Sequence, residues 1–485
     1  MVSLQSVLLH LLDCSTMRLP TDIRVQAATV YFLPIDFRVP LKFGPEVTTH
    51  VYCLRTCVTV VDREGRTAQG WGETPVAVSW TWPTPHVTVA DRTKRMQDFG
   101  LRLAKRLVEF DSWGHPMEFG YDFQKQALMQ ELAAANQEAG GTDMPYLAAL
   151  VCLSAFDIAI HDAFGNLLGK DIYDCYGPEY MSRDLSGFLE AVEGSEVNFR
   201  GKFVQDYLVR PAPATLPVWH LVGGVDPLEE SDLTGTEPKD GHPVLLADWI
   251  RQDGLTCLKV KLRGTDEIWD YDRMVRIARL GFPLGVKWLS ADFNCTVRDP
   301  LYVNDILDRL LQEEPEIYAR TLYVEQPFAY ELEHDMLDVR SVSARKPLFL
   351  DESAHDWEFV KLGRSLGWSG VALKTCKTQT GALLSLCWAK AHGMPLMVQD
   401  LTNPMLAMIP HARLAAHAGT IQGVECNGMQ FYPDASLPEA AVHPGLYQRR
   451  GGQVVLETLK GSGFGYRLEE MRRELPTPAG AFGMA

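Results

Sequence analysis

The sequence predicts an α/β protein. It reads as a (β/α) barrel of modified TIM type with an N-terminal α+β capping domain completed by the C-terminal segment. Three observations predict this. From residue 217 onward, eight short apolar strands alternate with amphipathic helical segments over roughly 215 residues, the rhythm of a closed parallel barrel. Before it, residues 25–75 alternate apolar and polar positions and are rich in β-branched side chains, as an antiparallel meander requires. At 485 residues, the chain is long enough for a barrel and one further domain.

Taken in order, residues 1–24 form an N-terminal extension. Its S-V-L-L-H-L-L-D run is apolar but short, lacks a basic n-region and carries His10 and Asp13, so it makes a poor signal peptide. It reads as a short amphipathic helix or as sequence upstream of a start at Met17. The capping domain spans 25–178: V-Y-C-L-R-T-C-V-T-V-V-D as a strand, R-E-G-R as a turn, then Q-G-W-G-E-T. Proline content predicts loops at Asp36 to Gly44 and Ser79 to His86. M-Q-D-F-G-L-R-L-A-K-R-L-V-E-F and L-A-A-L-V-C-L-S-A-F-D-I-A-I-H-D-A-F-G-N-L-L-G carry helical periodicity. Residues 179–214 are irregular and read as an insertion or linker.

The barrel occupies 215–434, with strands at P-V-W-H-L-V, T-C-L-K-V-K-L, V-K-W-L-S-A-D, T-L-Y-V-E-Q, P-L-F-L-D-E, G-V-A-L-K-T, P-L-M-V-Q-D and I-Q-G-V-E-C-N. The segment 435–485 returns to the cap, with Q-V-V-L-E-T-L as the candidate returning strand.

The net charge of −16 and the absence of a basic run argue against a nucleic-acid partner. No apolar run reaches the ~20 residues of a membrane span, so no membrane partner is expected. The ten cysteines are scattered without C-x-x-C spacing, and Cys53 and Cys57 share one strand face. Buried free thiols fit a reducing, cytoplasmic setting.

The chemistry lies at the strand ends, where a barrel places its reactive groups. Lys259 and Lys261 are two apart and face the barrel mouth together, with Val260 and Leu262 toward the helices. Mutual repulsion of two ammonium groups favours a lowered pKa and a neutral amine that can act as a base. Asp292, Glu325 and Asp351 each end an otherwise apolar strand, where an uncompensated carboxylate is costly. Together they form an all-oxygen rim suited to Mg²⁺, or to Mn²⁺ in its place. Lys374 ends the next strand; it is preferred to Lys377, which falls in the following loop. Lys261 and Lys374 flank the carboxylates, so one amine can remove an α-proton and the other return it from the opposite face. The metal would hold the substrate carboxylate and offset the charge of an enediolate, since general-base help alone supplies only about 10²–10⁴-fold.

These segments resemble the enolase superfamily and, within it, the muconate-lactonizing group marked by K-x-K on the second barrel strand and Lys on the sixth. G-W-G-E-T at Gly70 to Thr74 looks like that family's first-domain turn, and S-A-F-D-I-A-I-H-D-A-F-G-N-L-L-G-K at Ser154 to Lys170 looks like its Ala/Asp-rich helix ending in Gly-Lys. The resemblance implies Asp292, Glu325 and Asp351 as Mg²⁺ ligands and Lys261 and Lys374 as the acid/base pair. Lys259 would assist at the substrate carboxylate. Asn294, Glu425, Trp80 and Trp82 are the substrate-binding candidates, the tryptophans having domain-interface packing as their other reading. A small-molecule carboxylate substrate and a homo-oligomer are implied as well.

Two strand ends depart from familiar members. The eighth reads V-E-C-N-G where dipeptide epimerases resemble one another in a D-x-D pair, and the seventh, V-Q-D-L-T-N, offers no His. The leading expectation is an isomerase: a racemase, epimerase or cycloisomerase. A lyase on the same scaffold, an acid-sugar dehydratase or succinylbenzoate synthase-like enzyme, is the alternative. A non-catalytic barrel that only binds is the remote one.

Overall fold

The structure, a computed structural model, describes residues 19–43 and 46–483. The expectations about S-V-L-L-H-L-L-D and Met17 lie outside the described residues, as does Gly44.

The cap is built on β1 (Ile23–Phe43), β2 (Glu46–Asp62) and β3 (Thr67–Pro75), an antiparallel meander in register from Ile23↔Asp62 to Phe43↔Glu46 and from Cys53↔Pro75 to Val61↔Thr67. The stretch from Asp36 expected to be a loop instead continues β1, after a register shift between Asp36 and Leu41. Proline is tolerated at Pro34 and Pro40 because β1 has a second neighbour only at Ala27–Val30, leaving its distal half an edge. That neighbour is the returning strand Gly480–Gly483. Gln453–Val455, from the segment expected to return, pairs instead antiparallel with the first barrel strand. Ser79 lies in one helical turn, Val78–Thr81, before the chain becomes irregular.

Two cap helices cover the sheet: α1 (Val89–Glu109), whose N-cap Thr88 accepts from Asp91 N, and α2 (Tyr146–Leu168), which ends at Gly169 in the left-handed region with φ 62°. G-W-G-E-T, expected as a turn, instead lies within β3, where its glycines let α2 lie directly on the strand. A Cβ on Gly70 would meet Ala163 N at 2.1 Å and Ala159 O at 2.2 Å, and one on Gly72 would meet Ala155 O at 1.9 Å. Asp162 of α2 accepts hydrogen bonds from Trp71 N at 3.0 Å and Phe464 N at 2.9 Å, tying helix, strand and C-terminal segment together. The α2 helix is long and apolar enough to cross a membrane, contrary to the expectation of no such run, but its most apolar window is 100% buried inside the protein.

The barrel strands are β4 (Thr215–Val222), β5 (Cys257–Lys261), β6 (Trp288–Asp292), β7 (Thr321–Glu325), β8 (Leu348–Leu350), β9 (Gly370–Leu373), β10 (Leu396–Val398) and β11 (Val424–Glu425). All pair in parallel with their sequence neighbours, and β11 closes onto β4 through Val424↔Val218 and Glu425↔Trp219. Helices that include α3 (Leu246–Asp253), α4 (Glu267–Gly281) and α5 (Pro300–Glu313) form the outer layer. It continues through α6 (Trp357–Leu366), α7 (Gln379–Ala391) and α8 (Met408–Ala418). Cap and barrel meet where Asp157 of α2 accepts from Thr380 N at 2.8 Å, while Arg55 of β2 pairs with Glu73 of β3 and, at 3.3 Å, with Glu439 of the C-terminal segment.

Candidate active site

Strand alternation decides which side chains enter the barrel. Trp219, Cys257, Tyr323, Phe349 and Met397 form a cluster of their own in the barrel interior, while Leu258, Val260, Val324, Leu350 and Val371 join the outer core. At even offsets from the inner cluster, toward the C-terminal ends, stand Lys259, Lys261, Glu325, Asp351 and Gln399. Strand register aligns Lys261 with Asp292 and Asp292 with Glu325 in one row.

The structure brings the predicted lysines and carboxylates together. Lys259 Nζ donates to Glu325 Oε1 at 2.6 Å and Glu425 Oε2 at 3.3 Å, and lies 3.1 Å from Asp292 Oδ2. Lys261 Nζ donates to the same Asp292 oxygen. At the other end of the series, Lys374 Nζ is 3.1 Å from Asp351 Oδ2 and donates to the Asp400 carbonyl at 2.8 Å. Lys377 is also buried here: its Nζ donates to the Asp351 carbonyl and lies 3.7 Å from Oδ1.

The expected depression of the K-x-K amine is not what these neighbours produce. Burial pulls the Lys259 pKa down, but Glu325, Glu425 and Asp292 together hold it well above the ordinary amine value. Lys374 is likewise raised, burial being outweighed by Asp351. Lys377 is lowered, by burial first, with Asp351 compensating only in part and Lys374 adding repulsion. Asp292 is held low because Lys261 and Lys259 overcome its burial, whereas burial and the neighbouring Asp292 push Glu325 well up. Ionised side chains this deep persist only because each has a partner of opposite sign.

Among the described residues, no three His, Cys, Asp or Glu side chains stand as a closed ligand set; lysine ammonium groups intervene. The donor chemistry nevertheless fits a hard divalent cation. Asp292, Glu325 and Asp351 offer only oxygen, and Asp351 Oδ1, fully buried, accepts no hydrogen bond.

Of the substrate-binding candidates, Asn294 and Trp80 converge on one partner. Asn294 Nδ2 and Trp80 Nε1 each donate to Glu352 Oε1 at 3.0 Å. The Trp80 ring centre lies 4.8 Å from Lys374 Nζ and 5.7 Å from Lys377 Nζ, so the cap supplies an indole wall over both amines. Trp82 does not join them. It is buried in the cap core with the Arg95 guanidinium 4.6 Å from its ring centre, which is the packing role. Glu425 reaches the site, but its oxygens already accept from Lys259, from Asp400 N at 3.1 Å and from Asn427 Nδ2 at 2.7 Å.

Four further residues were not singled out from sequence. Gln399 donates to Glu325, and Gln326 Oε1 accepts from Asp351 N at 2.8 Å. Glu352 is raised to about 7 by burial and by Asp351 beside it. Asp400 accepts from Asn403 N at 2.7 Å and Asn427 N at 2.6 Å, locking the seventh and eighth strand ends together. Their only sequence signal was adjacency to the motif residues, in E-Q-P, D-E-S and V-Q-D.

Comparison with solved structures places the fold. A member of the enolase superfamily from Roseovarius nubinhibens aligns with 95% of this chain and 100% of its own, at a TM-score of 0.57 and 16% identity. The chain has the enolase-superfamily fold. A dipeptide epimerase from Enterococcus faecalis, solved with Mg and the dipeptide L-Leu-L-Tyr, shares that fold at a TM-score of 0.56 and 15% identity, covering 91% of this chain and 99% of that one. Among curated proteins, an aromatic dipeptide epimerase from Herpetosiphon aurantiacus is 27% identical over 254 residues, 51% of this chain. The match spans 66% of that relative's length, just under two thirds. No family model matches the chain. In this chain the cap meets the C-terminal mouth of the barrel where Trp80 donates to Glu352.

Proposed function

We propose that this chain is a Mg²⁺-dependent isomerase of the enolase superfamily, a racemase, epimerase or cycloisomerase that moves the α-proton of a carboxylate substrate. The observation that carries this reading is the placement of two lysines at opposite ends of one carboxylate series, Lys261 on Asp292 and Lys374 on Asp351. Asp292, Glu325 and Asp351 would hold the metal. When bound, Mg²⁺ supplies positive charge opposite the substrate carboxylate and shares the charge of the three protein carboxylates. The Mg-bound dipeptide epimerase and the aromatic dipeptide epimerase support both the cation and the reaction class.

In this reading Lys374, kept protonated by Asp351, donates a proton to one face of the α-carbon, and Lys261, placed against Asp292 at the other end of the series, takes up the α-proton from the opposite face. Lys259, whose ammonium is strongly retained, holds the substrate carboxylate rather than exchanging protons. Trp80 excludes water from the Lys374 side.

The test is incubation in D₂O with Mg²⁺ and a library of carboxylates. Deuterium should enter an α-position with epimer or ring-isomer formation, and Lys261→Ala and Lys374→Ala should each slow exchange by about 10²–10⁴-fold. Loss of water instead would establish a lyase. Exchange that survives both substitutions would remove the lysine mechanism.

A further inference from the structure

A cavity of about 370 Å³ lies outside the barrel beneath the cap hairpin, and none of its lining residues belongs to the lysine–carboxylate centre. It falls in the ~300–1,000 Å³ range of small-molecule sites. Its inner wall is the outward face of β4, His220 and Val222, with Trp249 and Leu246 of α3 beside them. Its roof is Arg38 to Pro40 of β1. That roof is latched. Arg38 donates to both oxygens of Asp240, at 2.7 and 2.8 Å, and to the Pro243 carbonyl at 3.1 Å, so the loop after β4 and the cap hairpin close the space together.

The polar lining is one-sided. Arg38 is spent on Asp240 and Arg276 on Asp232 at 3.1 Å, whereas Asp226 and Glu237, which accept from Gly223 N at 2.7 Å and Thr234 N at 2.6 Å, have no ion-pair partner among the described residues. Gln430 is 3% exposed; its Nε2 donates to the Leu221 carbonyl at 3.0 Å, while its Oε1 accepts no hydrogen bond. A buried carbonyl oxygen without a donor is a standing cost that a ligand N–H can remove. Acceptors and negative charge therefore meet an apolar wall of Trp249, Val222, Leu246, Val39 and Pro40.

We propose that this cavity is a second ligand site, separate from the candidate active site, that takes a small organic ammonium with an apolar body. The ammonium donates to Gln430 Oε1 and faces Asp226, while the apolar body lies against Trp249 and the hairpin roof. Gln430 belongs to the turn Gly428–Phe431, directly after Glu425 and Asn427, so an occupant touches the segment that closes the eighth strand.

The test uses the full chain and phenethylammonium chloride in isothermal titration calorimetry near neutral pH. Saturable one-to-one binding is expected, weakened about tenfold or more by Val225→Trp and by Gln430→Leu. Val225 is 56% exposed on the cavity rim, so its substitution fills the space without entering the core and keeps the test valid should the Gln430 variant misfold. The uncharged 2-phenylethanol should bind at least about tenfold more weakly. No saturable binding, binding unchanged in Val225→Trp, or equal binding of the alcohol would each overturn the proposal. None of these readouts depends on the catalytic reading.

Discussion

Two lysines, Lys374 and Lys377, compete for one role, and their surroundings separate them. Lys374 sits at the inward-facing position that follows Leu373, with its ammonium against the Asp351 carboxylate and the Trp80 face. Lys377 reaches back to the Asp351 carbonyl and acts through the backbone that carries that residue. Its lowered pKa reflects burial more than exposure to a substrate proton. Under the proposed mechanism, Lys374→Ala should therefore lose about 10²–10⁴-fold in α-proton exchange, while Lys377→Met should lose about tenfold, by loosening Asp351. Parallel exchange rates of the two variants, measured by NMR in D₂O, check this. A deeper loss in Lys377→Met would exchange their roles.

Among elements, the contact of β3 with α2 is the most exacting, because backbone meets backbone where Gly70 and Gly72 face Ala163, Ala159 and Ala155. Gly70→Ala must push α2 outward and strain the Asp162 bonds to Trp71 N and Phe464 N. Overpacking of this kind costs about 1–3 kcal/mol or more, so the urea midpoint should fall while far-UV circular dichroism stays native-like. An unchanged midpoint would mean that the sheet and helix can separate freely. The eight barrel strands were legible from sequence, because each is a short apolar run and all but the first carry a polar residue at the C-terminal end. G-W-G-E-T looked like a turn because its glycines, needed for contact with α2, also mark turns locally. The returning strand was not legible either. G-A-F-G carries almost no strand signal, and Gly480–Gly483 is held by pairing with Ala27–Val30, a contact across more than four hundred residues of sequence. Asp36 to Phe43 was misread for the related reason that proline marks a loop locally but only an edge once the neighbouring strands are known. Trp80 and Trp82 were indistinguishable in S-W-T-W-P; the helical turn at Val78–Thr81 turns one toward Glu352 and leaves the other in the cap core.

Across the whole molecule, buried titrating groups oppose one another between about pH 4 and pH 7. Burial lowers His115 and His355 to about 3, and His411 and His417 to about 4, so these rings are neutral in the fold. A histidine with a depressed folded pKa contributes stability above its unfolded value near 6.5 and loses it as pH falls toward the folded value. Burial raises Asp157 to about 6 and Asp162 and Asp400 to about 7, which has the opposite effect. A carboxyl with a raised folded pKa contributes stability below its unfolded value near 4 and loses it as pH climbs toward the folded value. The two sets partly cancel, so removing one member of either should tilt the pH profile in a defined direction. His411 bonds through Nε2 to the Glu425 carbonyl at 2.7 Å, and glutamine can keep that donor. His411→Gln should therefore gain about 2 kcal/mol relative to the wild type on going from pH 7 to pH 5. Asp162→Asn should lose a similar ~2–3 kcal/mol over the same step, because the wild type takes up a proton there that the variant cannot. Urea unfolding of the three proteins at both pH values gives the two differences. Opposite signs are required, and like signs would show that these buried groups do not control the acid response of the fold.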